Sequence, residues 1–180
     1  MCTVKYKKIS RHKEAGLFPY FVCQVEDQDG NFQRAWGLID TGADFTLIPA
    51  NFFGGNWKKT LVKKENGVKY YDYFPSLNGD ISGKLRFKPV GKICFSGATN
   101  EKEVLIVPCF YLKIKVLGEE NLYYQLKSRG SEQILVGVYP GDKVLLGKDL
   151  INEYLLDFDP QRLLMRLTRL TRIHPELLAS

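Results

Sequence analysis

WGLIDTGADFTLIP, residues 36–49, carries the strongest indication of the fold in this chain. Apolar residues stand before and after a short polar centre, an order that predicts two strands joined by a tight turn. Asp40 ends the first strand, where the turn would aim its carboxylate into a cleft. Gly42 carries no Cβ, so the chain or a neighbouring acid can approach closely. Because turns are rich in Asp and Gly for local reasons, a structural Asx turn is the alternative interpretation of Asp40.

Strand and turn signals dominate the rest of the chain. The segments 20–25 and 32–39 flank Asp29-Gly30, a strong hairpin signal, and the second segment leads directly into Asp40. Further apolar runs indicate strands at 92–95, 104–112, 134–138 and 143–146, and a final hairpin over 155–167. We interpret 51–73 as an irregular connection, 118–133 as an insertion loop and 147–154 as a short helix. The elements predict an all-β fold, closed like a barrel, with one short C-terminal helix.

Length and composition indicate a single domain. The chain has 180 residues, of which 44% are hydrophobic, enough to bury one core. We assign 1–180 to that domain, with its core over 21–167, a basic N-terminal segment over 1–19 and a tail over 168–180.

Apolar runs and cysteines indicate the expected location. No apolar run approaches the roughly 20 residues that span a bilayer, and the N-terminus lacks the apolar stretch of a secretory signal. Cys2, Cys23, Cys94 and Cys109 have no CxxC spacing, which argues against a zinc site and a disulfide framework. The last three lie in apolar runs that are typical of a core. A cytoplasmic protein with reduced thiols, no membrane partner and no metal is expected.

The net charge of +6 includes two basic clusters, at 5–13 and 162–172. One interpretation is a nucleic-acid or membrane patch. The other is two solvated faces around an acidic site. The second is favoured because no zinc finger, aromatic RNA-binding motif or phosphate loop accompanies the charges. Nucleic acid is therefore not expected as a partner, and the two clusters stay without an assigned role.

LIDTGAD, residues 38–44, resembles the active-site segment of the retropepsins, the single-domain aspartic proteases of retroviruses and their cellular relatives. Two later segments match in chain order. GDISG, residues 79–83, is similar to the glycine-rich flap tip of that family. LLGKDLI, residues 145–151, is similar to the element that packs behind the catalytic loop and leads into a short helix. The resemblance covers most of the chain, from Phe21 to Leu167.

The resemblance implies an aspartic endopeptidase of retropepsin fold that needs no cofactor and acts on a peptide or protein. Asp40 would be the catalytic acid, Thr41 would brace the turn across a two-fold axis, and Gly42 would complete the catalytic loop. The implied substrate contacts are Ala43, Asp44, Leu145 and the flap residues Gly79, Asp80, Ile81, Ser82 and Gly83. We expect Leu38, Phe45, Ile81 and residues 142–145 to line pockets for large apolar side chains.

Some residues depart from the family pattern. Asp80 and Ser82 stand where viral flaps have glycine, so an ordinary surface turn is the alternative there. Lys148 follows Gly147 where relatives often have a basic residue, and it is expected to pair with Asp44.

Peptide hydrolysis of this class needs two carboxylates, one ionised to activate water and one protonated to assist the carbonyl. The sequence supplies one such segment, since residues 95–98 have Phe95 where the acid belongs and residues 80–83 have the wrong spacing. A second Asp40 would come from a second copy, as an isologous homodimer provides, and the pair would share a proton. Ala43 replaces the serine of many relatives and removes a hydroxyl that could stabilise the ionised pair. Activity is therefore expected to reach toward neutral pH.

Two other functional classes stay open. One is a peptide-binding or assembly module, in which the same dimeric fold is kept and hydrolysis is weak or lost. The other is a basic nucleic-acid-associated protein from a mobile element, for which binding to DNA or RNA would depend on salt.

Overall fold

The protein is described by a computed structural model over residues 2–9, 18–27, 29–75, 88–96 and 102–169. Its strands are β1 Cys2–Ile9, β2 Phe18–Glu26, β3 Phe32–Ile39, β4 Leu47–Pro49, β5 Trp57–Glu65, β6 Val68–Pro75, β7 Gly91–Ser96, β8 Glu103–Leu112, β9 Ile114–Leu117, β10 Tyr123–Gln125, β11 Ile134–Tyr139, β12 Val144–Leu146, β13 Tyr154–Asp159 and β14 Leu164–Arg169. A 3-10 helix covers Ala50–Phe53, and the α-helix α1 covers Lys148–Ile151. These elements confirm the all-β prediction, whereas closure of the sheet into a barrel stays a prediction.

The strands belong to one sheet, in which β12 lies between β3 and β4, the strands before and after residues 40–46. The path runs β13-β14-β1-β2-β3-β12-β4-β11-β8-β6-β5. β12 pairs parallel with β3 and antiparallel with β4, so it separates the two strands that flank residues 40–46. The loop 40–46 therefore has to cross the end of β12, which fixes where Asp40 can lie.

The core lies on one face of these strands because apolar residues alternate with more exposed ones. In β3, Gly37 and Ile39 are buried while Leu38 between them is half-buried. Val4 and Tyr6 of β1 are also buried, although they belong to a basic segment. Burying a large apolar side chain contributes about 1.5–3 kcal/mol, so β1 adds to the stability of this core.

The hairpin between β2 and β3 is confirmed, and Asp27 anchors its turn. Asp27 Oδ1 accepts hydrogen bonds from the backbone N–H groups of Asp29 and Asn31, both at 2.9 Å. Asp27 Oδ2 accepts a hydrogen bond of 2.8 Å from Gln33 Nε2. Burial alone raises the pKa of Asp27, but these hydrogen bonds outweigh it and the net pKa is lowered. The turn that leads into the strand before Asp40 is thus fixed by an ionised carboxylate.

Residues 51–73 are not the irregular connection that the sequence suggested. They contain most of the 3-10 helix and of the β5–β6 hairpin, which is paired from Trp57 and Pro75 to Glu65 and Val68. The turn at Asn66 and Gly67 has positive φ values of 49° and 80°. Nearly every residue of β5 is exposed, so the strand lacks the alternation on which a sequence-based assignment depends.

Three smaller expectations also need correction. The segment 118–133 contains β10, which pairs with β9, so it is not wholly a loop. The α-helix ends at Ile151, three residues before the expected end. Cys23 and Cys109 are buried as expected, but Cys94 is exposed, and all four cysteines are free. None of the helices within the described ranges has the length and apolar character needed to cross a membrane.

Candidate active site

Residues 40–46 form a turn whose shape is set by backbone hydrogen bonds. The N–H of Asp40 donates to the carbonyl of Leu146 at 3.0 Å, and the N–H of Ala43 donates to the carbonyl of Asp40 at 3.1 Å. The N–H of Gly42 donates to Asp40 Oδ1 at 2.9 Å. A Cβ at Gly42 would lie 3.2 Å from the same oxygen, so glycine keeps this contact unhindered.

The carboxylate of Asp40 is therefore oriented by its own turn. The bond from Gly42 is the Asx-turn contact that the alternative interpretation expected. It uses Oδ1, and no donor in the described part of the chain hydrogen-bonds to Oδ2. The turn thus fixes one oxygen of the Asp40 carboxylate and leaves the other without a hydrogen-bond donor from the described residues.

Asp40 faces a cleft of about 590 Å³. Five residues with a predicted catalytic or substrate-binding role line it, namely Asp40, Gly42, Ala43, Asp44 and Leu145. Phe45 also lines it, as expected, whereas Thr41 is exposed and Leu38 is not part of the lining. The flap residues Gly79, Asp80, Ile81, Ser82 and Gly83 lie outside the described residues, so their role stays a prediction.

Four further lining residues had no site role assigned from the sequence. β7 contributes Cys94, Phe95 and Ser96, and β11 contributes Tyr139. The rings of Phe95 and Tyr139 meet edge to face, with centroids 6.2 Å apart and planes at 72°. Tyr139 Oη donates a hydrogen bond of 2.6 Å to the carbonyl of Lys143, which directs its ring. The result is an aromatic wall suited to a large apolar side chain.

Asp44, the second acid of the cleft lining, is engaged by an ion pair. Its Oδ1 lies 2.9 Å from Lys148 Nζ, as the sequence suggested. Both side chains are largely exposed, so the pair contributes at most about 1 kcal/mol to stability. The backbone adds two bonds, from Lys148 N to the carbonyl of Ala43 at 2.9 Å and from Asp149 N to that of Asp44 at 3.2 Å. The start of α1 thus fastens the loop from behind.

A buried hydrogen-bond chain supports the same loop. Thr46, which has no exposed surface, donates through Oγ1 to Asp149 Oδ1 at 2.8 Å. The same Oγ1 accepts the N–H of Gly147 at 3.2 Å. Burial raises the pKa of Asp149 above its ordinary value, and hydrogen bonds, including that from Thr46, oppose the rise. Sequence reasoning missed Thr46, whose only signal is a hydroxyl inside an apolar run.

Gly147 is required by the close approach of the loop to β12. A Cβ at this position would lie 2.4 Å from the carbonyl carbon and oxygen of Phe45. Those atoms belong to the backbone, so no side-chain rotation can relieve the overlap. The glycine thereby allows the loop to lie directly on the end of β12.

The cleft offers carboxylates for acid–base chemistry. Among its described lining residues, Asp40 and Asp44 are the acids, and none is histidine. Over the described ranges, no group of three or more His, Cys, Asp or Glu residues is placed to hold a metal ion. Asp40 therefore stands as the candidate for acid–base chemistry in this cleft.

No protein-family model matches the chain, and no curated protein matches it. Among solved structures, the chain is similar to "Structure of the foamy viral protease-reverse transcriptase in complex with RNA/DNA hybrid", with a TM-score of 0.37 and 21% identity. The match covers 75% of this chain and 12% of that chain. A likeness with so low a TM-score carries no argument about fold or function. The chemistry of the cleft is therefore judged from its own residues.

Proposed function

We propose that this chain is an aspartic endopeptidase that acts as a homodimer. Two Asp40 carboxylates, one from each subunit, would activate a water molecule that attacks a peptide bond. The observation that carries the proposal is the position of Asp40, held through Oδ1 by Gly42 at the edge of a cleft of about 590 Å³ with an aromatic wall. No cofactor takes part.

The need for a second subunit follows from the number of acids in the cleft. Water activation and protonation of the carbonyl require one ionised and one protonated carboxylate close together. Asp44 is ion-paired with Lys148, so Asp40 is the carboxylate outside an ion pair among the described lining residues of the cleft. An isologous dimer places identical residues on either side of its axis, so it brings a second Asp40 to the first.

The turn is suited to that arrangement. Thr41 is exposed beside Asp40, where it would meet the partner and brace the two turns. Gly42 presents no Cβ toward the axis, so the two carboxylates can come within a few Å and share a proton. Ala43 and Asp44 would contact the substrate backbone, and the aromatic wall would take an apolar side chain.

Replacement of Asp40 by Asn tests the proposal. The amide oxygen can still accept the hydrogen bond from Gly42, so the turn is kept while the acid is lost. We expect peptide cleavage to fall about 10²- to 10⁴-fold, the usual contribution of acid–base catalysis. Cleavage of a peptide library is followed by mass spectrometry, with Asp29→Asn in the exposed hairpin turn as the matched control.

Two results would contradict the proposal. One is an Asp40→Asn protein that cleaves as fast as the wild type. The other is full activity at a concentration where the mass measured by size exclusion and light scattering is that of a monomer. A transition-state mimic with a central hydroxyl should shift the mass toward the dimer.

A peptide-binding module is the second candidate, and it is favoured because the described lining of the cleft holds one carboxylate, that of Asp40, outside an ion pair. Such a module would use the aromatic wall to hold an extended segment without cleaving it. It predicts that Asp40→Asn leaves peptide affinity unchanged and that the wild type shows no cleavage at any concentration.

A further inference from the structure

A second cavity, of about 310 Å³, lies over β1, β2 and β3. Lys5, Lys7 and Arg162 line it, together with two aromatic residues, the buried Tyr20 and the exposed Trp36. None of its described lining residues is acidic. We call this cavity the basic groove.

The sheet brings described members of the two basic clusters together at this groove. β1 lies between β2 and β14, and Thr3 stands opposite Arg166. The N–H of Tyr6 donates to the carbonyl of Leu163 at 3.0 Å, which holds the turn before β14 against β1. Lysines from one end of the chain and an arginine from the other therefore face the same space.

The cations of the groove are weakly neutralised by the protein. Within the described ranges no carboxylate lies within ion-pair distance of Lys5 or Lys7, and Lys7 Nζ lies 5.5 Å from the centroid of the Trp36 ring. Arg162 reaches Asp159 at 3.9 Å, at the limit of an ion pair, with 74% of its side chain exposed. The groove thus presents positive charge beside apolar surface.

Three lysines elsewhere in the chain differ in this respect. On the β5–β6 hairpin and β7, Lys59 pairs with Glu103, Lys63 with Glu65 and Lys92 with Asp72. The charge of these three lysines is thus partly neutralised, unlike that of Lys5 and Lys7.

The groove is connected to the cleft of Asp40 by one cross-strand row. Leu145 lines the cleft and stands opposite Leu38, which stands opposite Tyr20, which stands opposite Lys7. Directly paired residues share a face of a sheet, so the four residues of this row lie on the same face, with Tyr20 buried among them. Three strand spacings of about 4.8 Å give roughly 14 Å from Leu145 to Lys7, a distance that about four residues of an extended peptide cover.

We propose that the basic groove binds an acidic segment of the polypeptide substrate, about three to five residues from the bond that is cleaved. Carboxylates of the segment would contact Lys5, Lys7 and Arg162, and an apolar side chain would lie against Trp36. This inference rests on the proposed function and adds to it a class of substrate.

An acidic peptide fits the groove better than a single-stranded nucleic acid does. Binding of successive bases needs aromatic rings with free faces. Tyr20 is buried, and the Trp36 ring, although the residue is 40% exposed, has Lys7 near its face. Binding of an acidic peptide segment needs only cations for its carboxylates and an apolar surface for its other side chains, and the groove provides both.

The test compares two sets of extended peptides with the same central pair of large apolar residues. In one set the positions three to five residues from the centre are Glu, and in the other they are Gln. The wild type should cleave the Glu set with a kcat/KM about three- to tenfold higher, the effect expected of a few partly screened ion pairs. Raising the salt concentration should reduce this ratio.

Variants assign the effect to the groove. Lys5→Gln/Lys7→Gln removes two of the three cations, so it should sharply reduce the preference for Glu and leave cleavage of the Gln set unchanged. Lys64→Gln/Lys69→Gln changes the net charge equally at two exposed residues that stand opposite each other on the β5–β6 hairpin. This control should keep the preference.

The outcomes separate the two proposals. Equal cleavage of both sets by the wild type overturns the groove and leaves the proposed function standing. If neither set is cleaved, the proposed function fails. Binding of the labelled peptides to Asp40→Asn, measured by fluorescence anisotropy, then still tests whether the groove prefers acidic segments. The acidic-segment proposal is overturned if the two sets bind with equal affinity. It is also overturned if Glu peptides do not bind while oligothymidylate binds to the groove and loses this binding in Lys5→Gln/Lys7→Gln.

Discussion

Replacing Thr46 by Val isolates the buried hydrogen-bond chain behind the candidate active site. Valine has nearly the same shape, so the core keeps its packing, but Asp149 loses a donor and the N–H of Gly147 loses an acceptor. A hydrogen bond to a charged group contributes about 1.5–3 kcal/mol, and an unpaired buried donor costs about 1–3 kcal/mol. Because Asp149 is only partly buried and water can reach it, we expect a net loss of about 3 kcal/mol.

The loss is measured by urea unfolding followed through tryptophan fluorescence. For a chain of this length, about 3 kcal/mol corresponds to a fall in Tm of roughly 6–12 °C. Thr46→Ser is the matched control because it keeps the hydroxyl and removes only a methyl group, for which about 1 kcal/mol is expected.

A double-mutant cycle with Asp149→Asn shows whether the two side chains act together. If they do, the losses in Thr46→Val and Asp149→Asn will not add in the double variant, and the interaction free energy will be about 1 kcal/mol or more. The reasoning is refuted if Thr46→Val unfolds within about 0.5 kcal/mol of the wild type, which is the range of ordinary surface substitutions.

Two further predictions concern the loop and the hairpin. Gly147→Ala should lower the unfolding free energy by about 1–3 kcal/mol or more, because the new Cβ overlaps the backbone of Phe45. The control is Gly91→Ala, whose new Cβ meets no atom within 4 Å and which should therefore change the unfolding free energy little in the same urea titration. The lowered pKa of Asp27 stabilises the fold above the ordinary pKa of the carboxyl, and this contribution is lost as pH falls through the folded value. The stability advantage of wild type over Asp27→Asn should therefore shrink below about pH 4, and an advantage independent of pH would contradict the role given to Gln33 and the turn amides.

The turn at Asp40 could be predicted because its determinants are local. The segments on both sides are apolar and enter the core, and the polar residues between them form a turn through bonds to their own neighbours. The hairpin at Asp29-Gly30 was predictable for the same reason. Elements whose hydrogen bonds join residues close in sequence can therefore be predicted from the local sequence pattern.

The elements that escaped prediction depend on exposure and on distant partners. β5 is exposed along almost its whole length, so its residues show no core-facing pattern. Cys94 lies between Ile93 and Phe95, but side chains alternate along β7 and only its neighbours are half-buried. Thr46 and Asp149 are 103 residues apart, and no local pattern reveals that they meet.

The bonds that join residues 43–46 to residues 147–149 have a consequence for biosynthesis. Contacts of such long sequence separation form late, because a long loop must close first. A ribosome that has released only the first half of the polypeptide has already exposed the aspartate-bearing turn, but not the helix start that fastens it. Asp40 would thus acquire its setting only once synthesis has passed α1, and a truncated product ending before that point would carry the motif without the hydrogen bonds that hold it in place.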